Sequence, residues 1–183
     1  MPNRIIICGG NGAGKSTLGK ELAYALKWTF KDIEDYYFPA KNAEYSYAKA
    51  RTYEEVKKLL LEDMKKHENF ILAAVKGNYG DEVVSMFTCA VFVNVPKETR
   101  MKRVWERSYK KFGERMLEGG DLYEKEKSFF DMVEKRSDKD VIEWLDSVNI
   151  PVIQVDGTKT AEENIEIIKR ELEKASLLGE AVP

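Results

Sequence analysis

Apolar positions along the chain follow two alternating periods. Arg4–Cys8 (RIIIC) is a short, continuous apolar run rich in β-branched residues, which predicts a strand buried on both faces. Lys15–Lys27 places Leu18, Leu22, Ala25 and Leu26 on one side of a helix. Trp28–Asp32 predicts a second strand, and Tyr53–Lys66 an amphipathic helix with Val56, Leu59, Leu60 and Met64 on its apolar face. Asn69–Val75 and Cys89–Val95 (CAVFVNV) predict two more strands, the first broken by Gly77-Asn78-Tyr79-Gly80 and the second by Pro96. A long helix is expected from near Lys97, interrupted around Gly113, Gly119 and Gly120, and resumed over Asp121–Ser147. Strand Pro151–Val155 and helix Ala161–Leu178 close the pattern. The Tyr- and Ala-rich segment 36–50 and the tail Gly179–Pro183 are expected to be irregular. Five apolar strands separated by helices predict an α/β fold with a parallel sheet. No repeat, low-complexity tract or linker interrupts it, so residues 1–183 are expected to form one domain.

A chain of 183 residues can bury roughly 70% of its extended surface, enough for a core without disulfide or metal staples. Thirty Lys and Arg against 32 Asp and Glu give a net charge of −2, which argues against a nucleic-acid binder. The apolar runs are too short to span a bilayer, and the N-terminus lacks the pattern of a signal peptide. Two cysteines, Cys8 and Cys89, make neither a disulfide framework nor a zinc site, so a cytoplasmic address is expected. His67 is the only histidine, which leaves no Ser-His-Asp chemistry and no multi-histidine metal site.

Candidate chemistry begins after the first strand. Gly9-Gly10-Asn11-Gly12-Ala13-Gly14-Lys15-Ser16 fits G-x-x-x-x-G-K-[ST] throughout, between a predicted strand and a predicted helix. Glycines let the backbone curl so that successive N–H groups face phosphate oxygens, and the helix adds its positive N-terminal end. Lys15 would reach the β- and γ-phosphates, and the Ser16 hydroxyl would ligate Mg²⁺. Nucleoside triphosphate binding is therefore expected at Gly10, Asn11, Gly12, Ala13, Gly14, Lys15 and Ser16. Neither N-K-x-D nor L-S-G-G-Q occurs, which excludes a GTPase and a transporter ATPase, and the chain is too short for an added AAA+ lid domain. A small phosphotransferase is what remains.

Three further clusters accompany this loop. Phe30-Lys31-Asp32-Ile33-Glu34-Asp35-Tyr36-Tyr37-Phe38-Pro39 is acidic and follows the second strand, whose carboxyl end should lie beside the loop. Lys97–Arg115 holds eight Lys or Arg against three Glu, a local +5, so the rest of the chain sums to −7. Within it Arg100, Arg103 and Arg107 share one helical stripe, and Met101, Val104 and Trp105 a neighbouring apolar one expected to face the core. Asp156-Gly157-Thr158 follows the fifth strand, ahead of a helix capped by Thr160 with Glu163 at its third position.

With these pieces the chain resembles the nucleoside monophosphate kinase and shikimate kinase-like superfamily over nearly its whole length. The resemblance implies a three-layer P-loop fold with strand order 2-3-1-4-5 and a helical lid at about 108–122. It implies transfer of the γ-phosphate of ATP, with Mg²⁺, to a small acceptor: a nucleotide, a nucleoside, or a shikimate- or gluconate-like hydroxyl compound. Thr17 would touch the α-phosphate, and Asp156, Gly157 and Thr158 would pass the adenine. Two registers stay open for the acids. An F-x-D-x-D register aligns Asp32 and Glu34, and a D-[FY]-[FY]-x-P register aligns Asp35. One carboxylate would orient Mg²⁺ with Ser16, Asp32 being the metal-side candidate, and another would accept the acceptor's hydroxyl proton. Arg103, Arg107 and Arg115 would close over the transferring group. Arg51, Asp35, Lys76, Gly77 and Asn78 are the candidate acceptor contacts, and Tyr36, Tyr37, Tyr45, Tyr47 and Tyr53 crowd the same region. The expected partner is a small molecule, with no nucleic acid or membrane, and the protein a monomer or homodimer. Two alternatives stand beside this reading: a nucleotide-dependent switch or scaffold, and a toxin or antibiotic-modifying phosphotransferase.

Overall fold

Four consecutive residues without a polar side chain need cover on both faces, and β1 (Asn3–Cys8) receives it at the centre of the sheet. Ile5, Ile6, Ile7 and Cys8 are each at most 1% exposed. The computed structural model describes residues 2–39 and 49–175. It has a five-stranded, all-parallel sheet in the order β2-β3-β1-β4-β5. β3 (Asn69–Ala73) and β4 (Cys89–Asn94) flank β1, while β2 (Thr29–Asp32) and β5 (Val152–Asp156) form the edges. Ile7 lies opposite Ala73 and Val91, and Asp32 opposite Ala73 on the other side. This register brings the carboxyl ends of β1, β2 and β3 to one edge, where ligands bind in open α/β sheets.

Alternate residues of the inner strands feed two cores. Ile6, Cys8, Leu72 and Phe92 pack with Val56, Leu60 and Met64 of α3 (Tyr53–Lys66) and with Val141, Trp144 and Leu145 of α7 (Lys139–Ser147). Ile5, Ile7, Ile71, Val91 and Val93 pack with Leu18 and Leu22 of α1 (Lys15–Leu26) and with Ile165, Ile168 and Leu172 of α8 (Ala161–Lys174). The starts of α3 and α8 are set by sequence. Thr52 with Glu55, and Thr160 with Glu163, each close a reciprocal capping box.

The remaining helices are α2 (Ile33–Tyr37), α4 (Asp81–Val84), α5 (Lys97–Phe112) and α6 (Tyr123–Lys135), with a 3-10 turn at Gly113–Met116. Several boundaries correct the sequence reading. Segment 36–50 was expected to be irregular, yet α2 runs to Tyr37 because Asp32 caps it, accepting from Glu34 N at 3.0 Å. Residues 40–48, with Tyr45 and Tyr47, lie outside the described residues, as do Leu178 and Gly179–Pro183. The helix expected over Asp121–Ser147 is two, α6 and α7, parted at Arg136-Ser137-Asp138 without a proline or glycine. The break has a tertiary cause, since Asp138 forks onto the guanidinium of Arg100, which is only 4% exposed. Trp105 does not join Val104 in the core; it is 44% exposed and stacks on Tyr109 with ring centroids 5.1 Å apart.

Candidate active site

The loop between β1 and α1 has the conformation its glycines permit. Gly12 has φ +80°, and a side-chain carbon there would sit 2.4 Å from the Arg100 carbonyl oxygen. At Gly10 the conflict is with the neighbour: a Cβ would lie 2.1 Å from an Arg100 guanidinium nitrogen. α1 starts at Gly14 with no acidic residue in its first turn, so its N-terminal N–H groups remain available to an anion.

Lys15 crosses the loop and donates to the Gly10 carbonyl at 2.9 Å. Burial pushes its ammonium down to about 8, against the pull of Asp32 and Glu34, while Arg107 pushes it down further. The Ser16 hydroxyl donates to one oxygen of Asp32, whose other oxygen accepts from Glu34 N. Asp32 is thus fixed by both oxygens beside Ser16, an all-oxygen pair of the kind a hard divalent cation takes.

Two cavities open on either side of the loop. One, of about 280 Å³, lies between Ala13, Thr17, Val93, Arg103, Gly157 and Asn164. Arg103 donates to the Gly157 carbonyl at 3.0 Å. Asp156 accepts from Thr158 N and Oγ1 at 2.9 and 2.6 Å, which folds the turn after β5 and holds the carboxyl below the usual range. The other cavity, of about 540 Å³, begins at Asn11. Ile33, Tyr37, Phe38 and Val75 line one part of it, and Phe129 and Met132 of α6 another. Glu34, Lys76, Asn78 and Arg136 supply polar groups.

A family model described as an AAA domain (AAA_18) matches residues 5–122. The uncharacterized protein YqaC of Bacillus subtilis (strain 168) is 30% identical over 174 residues, covering 91% of this chain and 95% of that protein. The chain belongs to this AAA-domain family. Solved structures with the same fold include shikimate kinase from Acinetobacter baumannii in complex with shikimate (16% identity, 97% of this chain and 96% of that one, TM-score 0.60). They also include deoxyadenosine kinase from M. mycoides with bound dATP (18% identity, 93% and 99%, TM-score 0.56). A gluconokinase from Sinorhizobium meliloti 1021 is a third (15% identity, 96% and 97%, TM-score 0.54). The family member described here therefore has the fold of the small P-loop kinases, as the sequence resemblance implied.

In this AAA-domain protein the expected site residues divide into three groups. Gly10, Asn11, Gly12, Ala13, Gly14, Lys15, Ser16, Asp32 and Glu34 come together around the loop, with Arg107 close enough to act on Lys15. Thr17, Arg103 and Gly157 line the smaller cavity, next to Asp156 and Thr158; Lys76 and Asn78 line the larger one. The others are committed elsewhere. Arg115 forks onto Asp121 at 2.9 and 2.6 Å across the segment after α5. Arg51 is tied to α2, donating from its guanidinium to Tyr36 O and from its backbone to Tyr37 O. Asp35 is exposed and is not among the residues lining either cavity. Gly77 is packed under Trp144 and Ile6, with no room for a Cβ. Of the tyrosines, Tyr36 is buried with its hydroxyl on Asp63, and Tyr53 stacks on Tyr79 at 6.2 Å.

Sequence reasoning missed Arg136, Arg100 with Asp138, and Asn164. Arg136 donates to the Asn11 side chain at 2.9 Å and lines the larger cavity. Arg100, which sequence placed on one stripe with Arg103 and Arg107, is a buried brace, bonded to Val95 O, Asn11 O and Asp138. No local pattern marks these residues; a fork between α5 and the α6–α7 junction pairs positions 38 apart in sequence.

Proposed function

We propose that the protein transfers the γ-phosphate of ATP, with Mg²⁺, to a hydroxyl of a small acceptor held in the larger cavity. One observation carries this reading. The three carboxylates after β2 are sorted: Asp32 is spent on Ser16 and on capping α2, whereas Glu34 lines the cavity beside Lys15. That division favours Asp32 as the metal-side group and Glu34 as the base, the choice that sequence left open. Ser16 and Asp32 would hold Mg²⁺, which supplies charge neutralisation between the β- and γ-phosphates. The nucleotide's phosphates would take the loop N–H groups and Lys15, and its base the smaller cavity beside Arg103 and Gly157.

The acceptor hydroxyl would give its proton to Glu34 as its oxygen bonds the γ-phosphorus. The bond from phosphorus to the β,γ-bridging oxygen would break, leaving ADP. Lys76 and Arg136 would pair with an anionic group of the acceptor, while Glu34 and Asp140 of the same lining would take its hydroxyls. Arg107 would face the transferring phosphoryl group, and the segment at 108–122 would act as its lid, with Gly113 and Gly119 at positive φ within it. Arg115 is kept as a lid residue only through a switch of partner from Asp121 to phosphate.

The test is ADP release from Mg-ATP across pooled acceptors: nucleoside monophosphates, nucleosides, shikimate, sugar acids and aminoglycosides, with Lys15→Ala as control. Stimulation by one pool, absent in the variant, supports the kinase and gives its acceptor class. Acceptor-independent turnover that Lys15→Ala abolishes would instead support the switch reading.

A further inference from the structure

Asn164 sits one turn into α8, is 2% exposed, and lines the smaller cavity. Its Nδ2 donates to the Asp156 carbonyl at 2.9 Å. A carbonyl can only accept, so the amide orientation follows: the NH₂ group faces β5 and Oδ1 faces away from it. That Oδ1 is buried and meets no donor among the described residues. A buried acceptor without a donor is destabilising, and native structures retain few of them. Around it Ala13, Leu18, Val93 and Ala161 give the cavity apolar walls. The cavity also reaches Gly14 and Thr17, the sequence neighbours of Lys15 and Ser16 in the phosphate loop. A cavity with these apolar walls, the cationic side chains of Arg103 and Lys159, and one unmet acceptor suits a heteroaromatic ring that carries an N–H donor.

We propose that Asn164 is a specificity residue that accepts a hydrogen bond from the exocyclic amino group of a 6-aminopurine. The proposal rests on the nucleotide reading above and goes beyond it by assigning the choice of base to a side chain. A 6-oxopurine presents a carbonyl to Oδ1, acceptor against acceptor, and an unsubstituted purine presents nothing. Oδ1 is covered in the present conformation. Arg103, which lines the same cavity, donates to the Gly157 carbonyl, and entry of the base requires the side chains around Oδ1 to give way.

Nucleoside diphosphates test this without turnover. Calorimetry with Mg²⁺ would compare ADP, inosine diphosphate and purine riboside diphosphate on the wild-type protein and on Asn164→Ala. The wild type is expected to bind ADP about tenfold more tightly than the other two. Asn164→Ala is expected to weaken ADP about tenfold and leave the other two within about twofold, so the preference disappears. Asn164→Thr, which keeps a donor for the Asp156 carbonyl, guards against a variant that fails to fold and should lose the preference likewise. Equal affinities on the wild type, or a uniform loss for all three ligands in the variants, would overturn the role of Asn164. Silence of all three together with pyrophosphate would overturn the nucleotide reading, and this proposal with it.

Discussion

Replacing Lys15 by Met should stabilise the empty protein while abolishing its response to nucleotide. Lys15 is half-buried, and burial brings its ammonium from 10.5 down to about 8. Each pH unit of displacement corresponds to about 1.4 kcal/mol, so holding the charge costs the empty fold on the order of 3 kcal/mol at neutral pH. Water reaches part of the side chain, which brings the expected gain for Lys15→Met to about 2 kcal/mol. For a chain of this size that is a rise in Tm of about 4–8 °C. The sign with pH follows from proton counts. Between about 8 and 10.5 the unfolded chain holds this proton and the folded one has lost it, so wild-type stability rises with pH across that window. Below pH 8 the full cost is present, and above 10.5 it is gone. Thermal unfolding of both proteins from pH 6 to 10 should therefore show the variant ahead at pH 7 and the two converging towards pH 10. Mg-ADP at about a hundred times Kd should add about 2.7 kcal/mol to the wild type and nothing to the variant. A variant less stable than wild type at pH 7, or a gap that persists to pH 10, would refute the claim that burial of this charge works against the fold.

Three further outcomes are expected. Glu34→Gln should lower kcat by about 10²–10⁴ with ADP affinity within twofold, since the group is assigned to the acceptor's proton and not to the nucleotide; an unchanged kcat with the identified acceptor removes it as the base. Asp138→Ala leaves the buried Arg100 guanidinium without its carboxylate and should cost about 2 kcal/mol by urea unfolding, whereas Lys139→Ala, which breaks an exposed pair with Glu143, should cost under about 0.5 kcal/mol. Equal costs would show that the fork is not a brace. Burial pushes the Cys8 and Cys89 thiols up to about 12, so thiol reagents at pH 8 should label the native protein only as fast as it opens. Rapid stoichiometric labelling in native buffer would contradict that burial.

Glu34 shows where local pattern stops. Sequence reading identified an acidic cluster after the second strand but offered two registers for it, because Asp32, Glu34 and Asp35 are chemically alike and adjacent. The division of labour proposed for them rests on α2, a five-residue helix that Asp32 itself caps. That helix is too short for a hydrophobic period to announce it. Arg100 shows a related difficulty. Its spacing from Arg103 and Arg107 marks a shared stripe, but spacing cannot tell which guanidinium turns inward to a partner.

Sequence by itself determined the parts that rest on nearest neighbours. The apolar run of β1, the glycine loop that must follow it, the cap at Thr160 and the α/β alternation are local interactions, and all appear as read. The strand order β2-β3-β1-β4-β5 came from the resemblance to the small P-loop kinases rather than from local pattern, since crossovers of one hand allow several orders for a parallel sheet. Tertiary structure decided what depends on contacts between distant segments. It parted α6 from α7 by drawing Asp138 to Arg100, brought Arg136 to Asn11, left Trp105 outside, and set Asn164 beside the carboxyl end of β5. The first is settled by a desolvated charge that must find a partner, the others by which segments packing brings side by side. That choice is made by the packed chain as a whole, over separations as long as the 125 residues between Arg136 and Asn11.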